Sequence, residues 1–191
     1  MGAAAERLAR LLVETLAPLG EAEPFLAEAP PLVANRAQTP RTLPVCAALQ
    51  TLSERSALVD ALVEAAPSLE WRQTYSATDF GEEFLRRYGW TELIGLRGPI
   101  ASSRLAAGFL LLGAGVEYPS HAHEAEELYL PLAGRALWRR GTEPFIERAP
   151  GEAVFHSAWT PHAMRTLSEP MLAAYLWRGG DLAAKSKILD R

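Results

Sequence analysis

The chain's sequence predicts a mainly β fold, a closed barrel or jelly roll with an N-terminal α-helical extension. Three features point there. Residues 1 to about 90 place apolar side chains at helical spacing between prolines. From about Thr91 the texture changes to short apolar runs separated by glycine, proline and charged turns. The chain has 191 residues, 49% of them hydrophobic, without an internal repeat, so it can bury one core of moderate size. The expected organisation is a helical extension over 1–90 packed on a β-barrel over 91–191, together one structural unit.

In chain order, Leu8, Leu11, Leu12, Leu16 and Leu19 form one helical stripe, and Gly20 is its stop. Pro24, Pro30, Pro31, Pro40 and Pro44 mark an irregular connector. Ser53 is the expected cap of a second helix that buries Leu58, Val59, Leu62 and Val63 and ends before Pro67. Asp79-Phe-Gly-Glu82 reads as a capping box opening a short helix that stops at Gly89. Strands are then predicted at Leu105–Leu112, Leu128–Leu132, Ala136–Arg139, Ala153–His156 and Met171–Trp177.

Composition excludes several classes of function. The net charge is −4 and no basic cluster exists, so nucleic acid is not an expected partner. No apolar stretch is long enough to span a membrane. Glu6, Arg7, Arg10 and Glu14 interrupt the alanine-rich N-terminus where a signal peptide needs an apolar core. The lone Cys46 rules out an internal disulfide and suits a reducing compartment, so the cytoplasm is the expected location. Within Leu-Pro-Val-Cys-Ala-Ala, Cys46 reads as a small packing residue.

The chemistry concentrates in His121-Ala-His-Glu-Ala-Glu-Glu-Leu-Tyr129. Side chains in an extended strand repeat every second residue, so His121, His123, Glu127 and Tyr129 are expected on one face. Two imidazoles and a carboxylate there make most of a first-row metal site, and Tyr129 adds a phenol within reach.

This pattern resembles the cupin superfamily, whose fold is the jelly-roll β-barrel. Its first motif is matched throughout: Gly115, five residues, His121-x-His123, three residues, Glu127, six residues, Gly134. In its second motif Gly151 and His162 fall at the required distance, but Ser157, Trp159 and Thr166 stand where the family has proline, glycine and asparagine. The resemblance implies that His121, His123 and Glu127 come from one hairpin and His162 from a neighbouring strand. They would hold one divalent transition metal ion, Fe, Mn, Zn, Ni or Co. His156 lies outside the motif and reads as pocket wall or surface.

A narrower resemblance is to the cupin-type dimethylsulfoniopropionate (DMSP) lyases, especially the Q-type. It is carried by Tyr118–Tyr129, by Phe155–Thr166, by Leu172–Trp177 and by Trp71-Arg-Gln-Thr-Tyr75. It implies cleavage of a small zwitterion, DMSP, to dimethyl sulfide and acrylate by β-elimination. Tyr129 would be the general base and Tyr118 a second pocket tyrosine. The sulfonium needs a dry pocket that favours positive charge, and Tyr75, Tyr118 and Trp177 are its expected wall. Trp138 reads as core packing, and Arg165 as a partner for a carboxylate or a solvated side chain. The alternatives are another metal-dependent cupin enzyme, such as a dioxygenase or sugar isomerase, and a non-catalytic small-molecule-binding cupin. Cupins often pair, so a homodimer using the N-terminal apolar stripe is the expected assembly.

Overall fold

The computed structural model describes residues 2–189. Among the described residues four α-helices precede most of the strands: α1 (Gly2–Leu16), α2 (Glu23–Leu26), α3 (Ala57–Ala65) and α4 (Ala77–Arg86). Helix α1 buries Leu8, Leu12 and Leu16, each contributing about 1.5–3 kcal/mol. Helix α3 is capped by Ser56, not Ser53: the Val59 amide donates to Ser56 Oγ at 3.2 Å. Ser53 instead donates to Glu54 at 2.7 Å, an outward alternative that spacing alone does not exclude. In α4 the cap is Ser76, and Asp79 is its reciprocal partner rather than the first residue. Gly81 then adopts φ +82, which kinks the helix. The chain leaves α4 at Arg86, and Gly89 already belongs to a strand.

Twelve strands follow the chain: β1 (Trp71–Arg72), β2 (Tyr88–Gly95), β3 (Ile100–Ala101), β4 (Leu105–Leu112), β5 (Glu117–Ala122), β6 (Glu126–Ala133), β7 (Ala136–Arg140), β8 (Ile146–Arg148), β9 (Val154–His156), β10 (His162–Thr166), β11 (Met171–Arg178) and β12 (Lys187–Ile188). The larger sheet has the order β1-β2-β4-β11-β6-β9, with β3 added parallel on β2. The smaller has the order β12-β5-β10-β7-β8. Strand pairing therefore starts before Thr91.

The larger sheet is buried on both faces. Along β4, Leu105, Ala107, Phe109 and Leu111 join the core built by α1 and α3. Ala106, Leu110 and Leu112 face the smaller sheet, with Tyr118, Trp138 and Met164 across from them. Strand β11 divides the same way, Leu172, Ala174 and Leu176 outward to the helices and Met171, Ala173 and Tyr175 inward. Two-sided burial is why these strands read as unbroken apolar runs. Cys46 is half-buried in a 3-10 turn, its Sγ accepting the Leu43 amide, a packing role.

Candidate metal centre

His121 is the last residue but one of β5, and His162 opens β10 directly opposite it in register. The expected single strand from His121 to Tyr129 does not exist. The chain leaves the smaller sheet at Ala122, turns through 123–125 and enters the larger sheet at Glu126. His121 and Glu127 thus come from facing sheets, not from one hairpin. Three contacts hold the turn: His123 Nδ1 lies 2.9 Å from the Ala125 carbonyl, the Trp159 amide donates to the His123 carbonyl at 2.7 Å, and the Asp181 amide donates to Glu124 Oε2 at 3.1 Å. Trp159, standing where the second cupin motif has glycine, adopts φ +60, in the left-handed region that glycine favours. Thr166, in place of asparagine, uses its hydroxyl to join the Val116 amide at 2.8 Å and the Gly113 carbonyl at 2.7 Å.

The four candidate ligands converge. His121, His123 and His162 each offer one nitrogen within 4.8 Å of the others, and all three are buried. Glu127 is fully buried; its Oε2 lies 2.9 Å from His123 Nε2 and 3.1 Å from His162 Nε2. The Trp177 indole N–H donates to Glu127 Oε1 at 2.5 Å, and its ring stacks on His123 at 4.0 Å.

The outer side of each imidazole decides what the inner side can do. His121 Nδ1 faces the Pro119 carbonyl at 2.8 Å, His123 Nδ1 that of Ala125, and His162 Nδ1 that of Thr160 at 2.9 Å. A carbonyl only accepts, so each Nδ1 carries the proton, and each Nε2 turns inward, where the neutral imidazole presents a lone pair. His162 Nε2, buried, makes no hydrogen bond. Lone pairs crowded on a carboxylate need positive charge between them, from imidazolium protons or a cation. Burial and neighbouring His162 hold His121 well below the ordinary histidine value. Burial also works against charge on His123, but Glu127 outweighs it and raises that imidazole. Burial opposes ionisation of Glu127, yet the facing histidines hold it well below the usual carboxylate range. Three neutral-capable imidazoles and one ionised carboxylate are the donor set of a divalent first-row ion, and the residues fit one.

His156 lies behind this group rather than in it. It is 1% exposed, both ring nitrogens lack a hydrogen bond, and its ring stacks on His162 at 4.2 Å and 11°. Parallel stacked rings do not aim in-plane lone pairs at one point. Burial, then His162, depresses His156 to about 3.

A cavity of about 300 Å³ opens beside the group and reaches Glu127 and Tyr129. Tyr118 and Trp177 line it; Tyr75 does not. Tyr75 stands behind Tyr118, receiving its hydroxyl bond at 3.1 Å, within a cluster that includes Phe80, Phe84 and Tyr88. Tyr118 stacks on His121 at 4.2 Å. Trp138 packs against Tyr129 at 5.1 Å, and Arg165 pairs with Glu117 at 2.7 Å. The segment Leu182–Ser186 also lines the cavity. It is held by Arg97, which donates to the Ala183 carbonyl at 2.7 Å, and by β12 pairing with β5.

Sequence reasoning missed the far wall of the cavity, formed by Trp90, Glu92 and Arg97. Its available signal was the alternation Tyr88, Trp90, Glu92, which places all three on one strand face.

Comparison with known proteins places this arrangement. The cupin-2 domain Rru_A2000 of Rhodospirillum rubrum superposes with a TM-score of 0.51 at 17% identity, over 65% of this chain and 77% of that one, so the fold is shared. Dimethylsulfoniopropionate lyase DddQ of Ruegeria pomeroyi is 39% identical over 146 residues, 74% of this chain and 73% of that protein. The crystal structure of DddQ from Ruegeria pomeroyi DSS-3 superposes with a TM-score of 0.88 at 34% identity, over 98% of this chain and 97% of that one. The dimethylsulfoniopropionate lyase family profile matches residues 25–173, a span that holds His121, His123, Glu127 and His162 and the cavity residues from Arg72 to Tyr129. With sequence, whole-chain fold and site region agreeing, the chain belongs to the dimethylsulfoniopropionate lyase family.

Proposed function

We propose that this protein is a carbon–sulfur lyase that cleaves DMSP to dimethyl sulfide and acrylate. One divalent transition metal, Fe, Mn, Zn, Ni or Co, would be held by His121, His123, Glu127 and His162. The observation that carries the reading is the inward-facing Nε2 set beside Glu127, at the end of a cavity that also contains Tyr129.

When bound, such an ion supplies Lewis acidity toward the substrate carboxylate and a positive field beside the phenol. Tyr129 takes the proton from the carbon next to the carboxylate. The electrons of that C–H bond form the new double bond, and the C–S pair leaves with sulfur as dimethyl sulfide. The sulfonium is already a good leaving group, so no acid is needed. Burial and the charge of Glu127 hold the Tyr129 phenol well above its ordinary value, so its role as base depends on a cation at the imidazoles. Trp177 and Tyr118 close the sides and exclude water. The single free cysteine fits a cytoplasmic enzyme.

The test is dimethyl sulfide in the headspace over DMSP, with protein loaded separately with Fe(II), Mn(II), Co(II), Ni(II) or Zn(II). Tyr129→Phe should lower turnover by at least ~100-fold while retaining metal. Release that ignores metal, or full activity in Tyr129→Phe, overturns the assignment.

A further inference from the structure

The cavity joins two buried carboxylates, and only one belongs to the metal group. Glu127 stands at one end. At the other, Glu92 is 6% exposed on β2 and lines the same cavity with Trp90 and Tyr175. The inner face of the larger sheet connects them. Tyr129 pairs with Tyr175, Tyr175 with Gly108, and Gly108 with Glu92, a single row across four strands. Three strand steps make that row about 14 Å long between backbones. Gly108 has no side chain and Ala106 has a methyl, so nothing bulky stands between Tyr175 and Glu92.

Glu92 is fixed from behind. The Arg97 and Gly98 amides donate to its Oε1 at 2.5 and 2.8 Å. Oε2 is the oxygen with acceptor capacity to spare. The charges of Arg97 and Arg72 act on Glu92, but neither guanidinium forms an ion pair with it: Arg97 bonds the Leu182 and Ala183 carbonyls, and Arg72 pairs with Glu70 at 2.7 Å. The Arg97 guanidinium also lies over the Trp90 ring at 5.8 Å. A carboxylate taken out of water among aromatic rings is unfavourable unless a positive group answers it.

We propose that Glu92 is the counter-ion for the cationic end of the substrate, the sulfonium resting against Trp90 and Tyr175 while the carboxylate end faces the imidazole group. This deepens the lyase reading and rests on it. A methylated onium has no N–H to donate, so charge and ring faces are what can hold it. The site accepts compact onium groups, sulfonium or quaternary ammonium, and rejects the neutral thioether of the same length.

The experiment measures binding apart from turnover. Metal-loaded wild-type protein and Glu92→Gln are titrated calorimetrically with trimethylsulfonium, which has only the cation, and with propionate, which has only the anion. Glutamine keeps an oxygen for the two amides, and a thermal melt confirms that the variant is folded. Glu92→Gln should weaken trimethylsulfonium by about tenfold and leave propionate unchanged. With DMSP the same variant should raise KM and hold kcat. Trp90→Leu gives a second reading, a smaller loss confined to trimethylsulfonium. Equal trimethylsulfonium binding by wild type and Glu92→Gln, parallel loss of both probes, or no trimethylsulfonium binding by wild type each overturns the proposal. Absence of dimethyl sulfide release by wild type counts against the lyase reading instead, whatever trimethylsulfonium does.

Discussion

Trp177→Phe tests how far the carboxylate of the metal group depends on its neighbour. The indole N–H of Trp177 is a direct donor to Glu127 Oε1, at 2.5 Å, and Glu127 is fully buried. Phenylalanine keeps a ring over His123 and removes that donor. A hydrogen bond to a charged group contributes about 1.5–3 kcal/mol, and the oxygen left behind has no water to replace it. A loss of about 2 kcal/mol in a chain of this size lowers Tm by roughly 4–8 °C. A second effect separates the site from general stability. Outer partners of metal ligands typically change metal affinity by about 10–100-fold. Without its donor, Glu127 is less acidic and reorients more easily, so competition against a chromogenic chelator should show weaker metal binding in that range. A variant with wild-type metal affinity would refute the reasoning even if its Tm fell, because the fall would then come from lost packing alone.

Two further outcomes follow from local geometry. Trp159→Gly should remove the left-handed strain at φ +60 and gain about 1 kcal/mol, partly offset by the lost contact of Lys187 with the ring at 4.7 Å; a lower Tm on thermal melting would show that the ring matters more than the turn. Hydrogen bonds from Lys185 and from Ser76 hold Asp79 at about 2, below the ordinary 3.8. Its folded value is the lower one, so its contribution to stability is present above pH 3.8 and is lost as pH falls through 2. The stability difference between wild type and Asp79→Asn, followed by urea titration, should therefore be constant near neutral pH and shrink toward pH 2; a difference independent of pH would discard the Lys185–Asp79 link.

The parts of the fold that were legible are those where burial writes a simple pattern. Strands β4 and β11 are packed on both faces, so both stand out as continuous apolar runs. Strand β2 is equally buried but was hidden, because Gly89 reads as a helix stop and Thr91 and Glu92 interrupt the apolar run. The ligand spacing was legible and its geometry was not. A period of two holds from His121 to Tyr129 whether the chain stays in one strand or switches sheets at 123–125. What forces the switch is tertiary, the Trp159 amide on the His123 carbonyl, 36 residues away. Tyr75 shows the same limit. Its neighbourhood in sequence suggests a pocket residue, but the rings of Phe80, Phe84 and Tyr88 take it into a cluster behind Tyr118.

Glu127 links these observations. It faces His123 and His162 with one oxygen and Trp177 with the other, and of the charges acting on the Tyr129 phenol it is the strongest. The same carboxylate that makes the imidazole group attractive to a cation therefore keeps Tyr129 protonated until positive charge arrives. Glu92, three strand steps away, lines the same cavity without an imidazole or an ion-pair partner beside it, and in the proposal above its counter-charge is the cation of the ligand. In that reading the two buried carboxylates of one cavity are matched by two different positive charges, a metal ion held at the imidazoles and the cation of the substrate. A ligand with an anion at one end and a fixed cation at the other satisfies both ends, and a plain carboxylic acid or a plain onium satisfies only one.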